Sequence, residues 1–290
     1  MIIKKVLRVI WVLDNVKGEA SFYGKLYTLI LIASIRQWKK FYPDDTCVLY
    51  CDDLSRETLR LTNTLDQWDE VVHYKPKYKI NRAIFWAAAK VEVLSLQTEP
   101  CIIVDNDLHI YCPIKTYIDP KKYYVHNIEN GKGYYPGYVD KFVRKLSYAP
   151  RWQTESVNVS FLQLPDPNFT REYAAGSIKI MEEFTEMEVP NSQYLIFAEQ
   201  LFLRHMFDMR GIEFKSLVAT YWDCDAWEWG QHHNRGIWPI YESEMFLKHY
   251  GPLKRWILAN KADQNYKKEV EHLTRCVNLP KLNLSHIEKR

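Results

Sequence analysis

Hydrophobic positions along the first 115 residues switch between two repeats. Val6–Leu13 is an apolar run rich in β-branched residues, interrupted by Arg8, the pattern of a strand buried on both faces. Leu26, Leu29, Ile30, Ala33, Gln37 and Phe41 then recur at helical spacing, and Pro43-Asp44-Asp45 closes that helix. Thr46–Cys51 reads as a second strand. A polar helix follows from Ser55 to Leu65, with Asp52-Asp53 as its polar cap, and leads to a short strand at Glu70–Tyr74. Arg82–Leu96 is again helical, with Ile84, Ala87, Ala88, Val91 and Leu94 facing inward. Cys101–Val104 is a fourth strand, apolar on both faces. Strands alternating with helices predict an α/β fold whose parallel sheet is covered on both sides.

The periodicity breaks in the middle of the chain. Lys121–Pro150 holds six tyrosines, one phenylalanine and three glycines with no clean repeat, and reads as an insertion or a lid. Val157–Leu164 returns to a strand pattern, Arg171–Met187 to an amphipathic helix and Ala198–Met209 to a second helix ended by Gly211. Glu213–Ala219 reads as a strand, and Tyr221–Pro239 carries four tryptophans. Beyond Trp256 a short helix is expected, with Tyr266, Val270, Leu273 and Val277 on one side. There is no internal repeat and no flexible linker. Residues 1–260 are therefore expected to form one body of two interlocked halves, 1–115 and 116–260, followed by a basic tail at 261–290.

Composition narrows the class. A chain of 290 residues, 47% hydrophobic, is ample for a large core. Ten glycines and thirteen prolines exclude collagen-like and low-complexity classes. No apolar run approaches the roughly 18–20 residues that span a bilayer. Arg8 interrupts the N-terminal apolar stretch, and Asp14-Asn15 follow it without a small-residue cleavage site, which reads as a first core strand rather than a secretion signal. Six cysteines are ordinary for a reducing, cytoplasmic setting. Cys47 and Cys51 on one strand would stand about 13 Å apart, too far to bridge or share a metal. No zinc spacing is present.

The net charge of +3 is uneven, since nine Lys/Arg against four Asp/Glu fall within Lys254–Arg290. A near-neutral body with a basic tail is not the pattern of a nucleic-acid-binding domain. Lys267, Lys268 and Arg275 beside an apolar stripe leave two readings open. One is a solvated helix packed on the body; the other is peripheral attachment to an anionic membrane surface on the inner face.

The chemistry concentrates in two segments. In CIIVDNDLHIY a buried strand runs into Asp105-Asn106-Asp107. Extended backbone would turn both carboxylates to one side, at the carboxyl end of a parallel strand, where open α/β sheets bind ligands. Paired hard oxygen donors suit Mn²⁺ or Mg²⁺, which commonly share their shell with substrate phosphates. The bland alternative is a solvated acidic turn. In HYGPLKRW, His249 offers an imidazole for the same shell, Gly251 a close backbone approach and Lys254 a charge for a departing diphosphate. Here the alternative is a surface turn.

Together these segments resemble the GT-A glycosyltransferase fold, and most the retaining family 8 glycosyltransferases. In that family a strand ends in D-x-D, and a late H-x-x-G-x-x-K-P-W segment supplies the third metal ligand and a phosphate-binding lysine. The late segment here is one residue shorter between His249 and Gly251, and Arg255 replaces the proline. Between the two segments, Asn158 in VNVSFLQL resembles the family's N-x-G strand under the acceptor site, with Ser160 for the glycine. Glu199-Gln200 resembles its D-Q pair beside the sugar. Lys90 matches a basic residue on the helix before the D-x-D strand, and Asp14-Asn15 matches the base-binding edge. The resemblance spans about residues 6–256. It implies a Rossmann-like, mostly parallel sheet flanked by helices, with a smaller acceptor-side subdomain.

The activity so implied is metal-dependent transfer of a sugar from a nucleoside diphosphate sugar, with UDP the expected carrier, to a hydroxyl on a carbohydrate, lipid-linked glycan or other acceptor. Asp105, Asp107 and His249 would hold the metal. Asp14, Asn15, Lys90, Asn106, Gly251 and Lys254 would line the nucleotide. Glu199 and Gln200 would face the sugar. In a retaining enzyme the leaving phosphate takes the proton; in an inverting one Asp223 or Glu199 would be the base. Two other classes stay in view. A nucleotidyltransferase also pairs aspartates with a metal, although VKGEASFYGK has only two widely spaced glycines for a phosphate cradle. A catalytically silent carbohydrate- or partner-binding module would keep the fold without the transfer. The tryptophans from 222 to 229, interleaved with Asp223, Asp225 and Glu228, read equally as a sugar-stacking face or as core.

Overall fold

The structure, a computed structural model, describes residues 3–10, 25–82, 84–130, 155–184, 197–217, 222–223, 247–249 and 264–277. It is a mixed α/β fold with a central eight-stranded sheet flanked by helices, the class that the alternating pattern predicts. The chain divides into two compact units. The N-terminal unit takes Lys4–Lys75, Val104–Tyr117 and Pro239–Arg290; the middle unit takes Met1–Ile3, Pro76–Ile103 and Ile118–Trp238.

In the N-terminal unit three parallel strands run in the order β3-β2-β1, with β1 at Lys5–Ile10, β2 at Thr46–Cys51 and β3 at Glu70–His73. Their apolar residues are buried as expected of parallel strands: Val6, Leu7, Cys47, Leu49 and Cys51 are all fully covered. Helix α1, Lys25–Phe41, buries Leu29, Ile32, Ala33 and Trp38. Helix α2, Asp53–Leu61, begins where Asp52 accepts a hydrogen bond from the Ser55 amide at 2.8 Å, the cap read from the sequence. It stops short of Leu65. Asn63 takes a positive φ of 55°, and the Thr62 and Thr64 hydroxyls bond back to the last turn. A 3₁₀ turn at Leu65–Gln67 follows. Two short strands, β5 at Leu108–Ile110 and a strand at Leu247–His249, form a separate antiparallel pair. The C-terminal helix, Gln264–Val277, packs on α1 with Leu273 and Val277 fully buried, which matches the packed reading of the basic tail.

The middle unit holds α3 at Ala88–Ser95 and, except for its last residue, β4 at Cys101–Val104. It also holds β6 at Tyr123–Asn130 and β7 at Glu155–Leu164, an antiparallel pair. The strand order is β4-β7-β6-β8, with β8 at Phe214–Ser216 and β9 at Trp222–Asp223 both parallel to β6. Helix α4, Pro167–Glu183, packs on α3, and helix α5 spans Phe202–Met209. Tyr123, Phe169, Phe207 and Phe214 build an aromatic core, with Phe207 stacked on Phe169 at 5.4 Å and on Phe214 at 4.8 Å. With Leu247–His249 labelled β10 and Gln264–Val277 labelled α6, the set is complete.

Several boundaries differ from the sequence reading, each for a local reason. The helix expected from Arg82 begins at Ala88. Upstream, the Ile84 and Phe85 amides both turn back on the Asn81 carbonyl, and Arg82 is drawn to Glu92 instead. The helix expected from Arg171 begins four residues earlier, because Asp166 caps the Asn168 amide and Pro167 fits the first helical position. The Ala198–Met209 helix opens with a π turn at Phe197–Leu201. The aromatic-rich middle contains strand β6, hidden from a period-2 reading by a register shift between Val125 and Asn127.

Candidate active site

The acidic couple is not extended. Asp105-Asn106-Asp107 forms a tight turn between β4 and β5, closed by the Leu108 amide donating to the Asp105 carbonyl at 3.1 Å. This corrects the premise that alternation along a strand aligns the two carboxylates. Asp105 is half-buried and Asp107 only 7% exposed.

The turn is fastened to β1 at two points. Asn106 Nδ2 donates to the Val9 carbonyl at 2.7 Å, and Arg8 Nη1 donates to the Asp105 carbonyl at 2.7 Å. Arg8 is 1% exposed. Its second nitrogen, Nη2, donates to Ser34 Oγ at 3.0 Å, and that hydroxyl donates in turn to the Leu108 carbonyl at 2.5 Å. Ser34 and Trp38, one turn apart on α1, form one wall of this arrangement, with the guanidinium 6.0 Å from the indole. Burial lowers the Arg8 pKa to about 10, while nearby Cys47, Asp105 and Asp107 oppose the fall. The guanidinium is therefore a permanent cation near neutral pH, set beside two carboxylates.

His249 lies on β10, whose antiparallel register pairs Leu247 with Ile110, Lys248 with His109, and His249 with Leu108. Partner Cα atoms in such a ladder stand about 4.5–5.5 Å apart. The backbone of His249 is thus opposite the residue that follows Asp107. Among the described residues no three His, Cys, Asp or Glu side chains form a metal-binding group. The residues fit a hard divalent cation by their chemistry: two carboxylates within three positions, and the Asn106 Oδ1, buried and without a hydrogen-bond partner among the described residues.

In the middle unit, Lys90 and Glu199 come together. Lys90 Nζ stands 3.0 Å from Glu199 Oε1 and donates to the Val159 carbonyl at 2.8 Å, with the two side chains 10% and 5% exposed. A lysine assigned by resemblance to the nucleotide is here the counter-ion of a carboxylate assigned to the sugar. The π turn that carries Glu199 is held by two residues one turn apart on α4: Tyr173 Oη donates to the Glu199 carbonyl at 2.9 Å and Ser177 Oγ to the Ala198 carbonyl at 2.6 Å. Burial, and then the Glu199 charge, push the Tyr173 phenol well above its usual range, so it stays a donor. Gln200 Oε1 and Ser160 Oγ are buried without a hydrogen-bond partner among the described residues. Asn158 is engaged locally, accepting from the Ser160 amide at 2.9 Å and donating to Glu129 at 2.7 Å. Asp223 pairs through its backbone with Asn130.

Asp14, Asn15, Gly251 and Lys254 lie outside the described residues. The sequence reading missed Arg8 as part of the site. The one available signal was its position: a full charge in the centre of an apolar strand must find a buried partner.

Solved structures with similar folds include the glycosyltransferase GlyE of Streptococcus pneumoniae TIGR4, at 11% identity and a TM-score of 0.48, covering 100% of this chain and 63% of that one. This chain thus spans less than two thirds of GlyE. Mouse xyloside xylosyltransferase 1 matches at 13% identity and a TM-score of 0.39, covering 80% and 92%. The inositol-1-phosphate CTP transferase of T. maritima matches at 11% identity and a TM-score of 0.37, covering 74% and 84%. These likenesses concern the fold alone. A search of the curated proteins found no match. The family model described as "Family of unknown function (DUF6734)" matches residues 5–235, most of the chain, and the protein belongs to that family.

Proposed function

We propose that this chain is a metal-dependent glycosyltransferase that moves a sugar from a nucleoside diphosphate sugar, with UDP as carrier, to a hydroxyl acceptor with retention of configuration. The observation that carries the reading is the β10–β5 register, which sets the His249 backbone opposite Leu108, beside the Asp105–Asp107 turn. Asp105, Asp107 and His249 would hold Mn²⁺ or Mg²⁺, which when bound supplies Lewis acidity to the departing diphosphate. Arg8 and Asn106 orient the turn through their bonds to the Asp105 and Val9 carbonyls. Lys254 would bind a phosphate oxygen, and Asp14 and Asn15 the base edge. Glu199 and Gln200 would bind sugar hydroxyls, with Lys90 holding the Glu199 carboxylate in place. Under retention the proton passes to the leaving phosphate, so no side chain need act as base; Asp223 or Glu199 is the candidate if the outcome is inversion.

A thermal-shift panel of nucleoside diphosphates with and without Mn²⁺ tests this directly. UDP and Mn²⁺ together should raise the melting temperature more than either alone, through binding linkage. Slow UDP-sugar hydrolysis should require Mn²⁺ and stop with EDTA. A folded protein that no diphosphate stabilises in the presence of metal would overturn the assignment and favour a silent binding module.

A further inference from the structure

Outside the acidic turn, the N-terminal unit carries a second concentration of charge. A groove of about 440 Å³ opens between α1 and α6, lined by Arg36, Gln37, Lys40, His272, Arg275 and Cys276. Arg36 and Lys40 are one turn apart on α1, so they share a face and repel. Across the groove, His272, Arg275 and Cys276 share a face of α6 by the same spacing. Among the described residues the lining holds three permanent cations and no carboxylate.

Charge usually balances along such helices, and nearby it does. Lys39, beside Lys40, pairs with Asp69 at 2.8 Å. The groove cations do not balance. Among the described residues none of Arg36, Lys40 and Arg275 has a carboxylate within ion-pair distance. Arg36 donates to the neutral Gln67 amide oxygen, and Lys40 lies over the Phe41 ring at 5.5 Å. The other groups there are hydrogen-bonded to one another. Gln37 Nε2 reaches Cys276 Sγ at 3.7 Å, and His272 Nε2 is 3.6 Å from that sulfur and 3.5 Å from the Tyr111 hydroxyl. Three like charges around one concavity repel unless an anion sits among them, and two guanidinium forks match the oxygens of a phosphate.

We infer that this groove binds a phosphomonoester, with Arg36, Lys40 and Arg275 as its clamp. The inference is independent of the proposed transfer chemistry. Two sources carry this group, a soluble phosphoester and a phosphatidic acid headgroup, and the experiment separates them. Equilibrium dialysis of the full chain against inorganic phosphate, in EDTA and at fixed ionic strength, should show one site. Alkylation of Cys276, followed on its peptide by mass spectrometry, should slow about tenfold at phosphate ten times its dissociation constant. Lys40→Glu combined with Arg275→Glu, both exposed positions, should abolish the site and the protection while the melting temperature stays close to the parent value.

Co-sedimentation with phosphatidylcholine vesicles containing phosphatidic acid, and not with pure phosphatidylcholine, assigns the headgroup. Phosphate binding without vesicle binding assigns a soluble phosphoester. Absence of a phosphate site, a site that survives the double charge reversal, or vesicle binding without phosphate binding overturns the proposal. Because metal and donor are absent, failure here leaves the transferase reading untouched, and failure of that reading leaves this one.

Discussion

The acidic turn of the N-terminal unit and the Lys90–Glu199 pair of the middle unit handle buried charge in different ways. At Lys90 the cation meets a carboxylate and a main-chain carbonyl, so the pair is compensated within the chain. At the turn, two carboxylates within three positions stand beside one guanidinium, and that guanidinium gives its hydrogen bonds to a main-chain carbonyl and a hydroxyl. Unlike charges that neutralise each other lock a structure. At the turn, Arg8 and Asn106 hold the main chain in shape, and the carboxylates it carries are the ones proposed to meet a ligand. On the proposed function, the Lys90–Glu199 pair is a positioning element and the acidic turn a binding element.

The largest effect expected is at the binding element. Asp107→Ala should abolish metal-dependent UDP-sugar hydrolysis, measured as UDP release, while the fold persists by circular dichroism; full activity would break the contrast. Next comes the compensated pair. Lys90→Met leaves Glu199 buried without its cation and should cost about 3–5 kcal/mol in denaturant unfolding, whereas Lys90→Met with Glu199→Leu should recover much of it. A double variant as unstable as the single would show that the two do not act as a pair. Arg8→Met, which removes the donor to the Asp105 carbonyl and leaves the acidic turn without its buried cation, should cost about 2–4 kcal/mol, with Arg8→Lys intermediate. Gly176→Ala should cost about 1–3 kcal/mol, because its new methyl would lie 2.5 Å from the Phe202 ring just after the π turn. The smallest effect concerns reactivity. Burial raises the Cys47 and Cys51 thiols to about 11, so both should stay unalkylated near pH 8 while Cys276 reacts.

Much of the fold was legible because its signals are local. Thr46–Cys51 and Cys101–Val104 match residue for residue, since continuous apolar runs between polar turns leave little choice of boundary. The Asp52 cap was readable for the same reason. What escaped depends on contacts distant in sequence. Arg82 leaves the helical register for Glu92, and β6 is a strand through its pairing with β7 and β8 rather than through its own alternation. At the candidate site the residue types at 105, 107 and 249 stood out, and the pairing of β10 with β5 brings their segments together. The clasp by Arg8 and the partnership of Lys90 with Glu199 were not legible, because residues 97 and 109 positions apart meet only through the sheet and the helices it carries.

The central claim is that Asp105, Asp107 and His249 grip one divalent ion. Titration of Mn²⁺ in the presence of UDP, followed by the loss of the free-ion electron paramagnetic resonance signal, tests it most directly. The account predicts one bound ion per chain, lost in Asp107→Asn and weakened in His249→Gln. Binding of equal stoichiometry and affinity in the parent and both variants would contradict it.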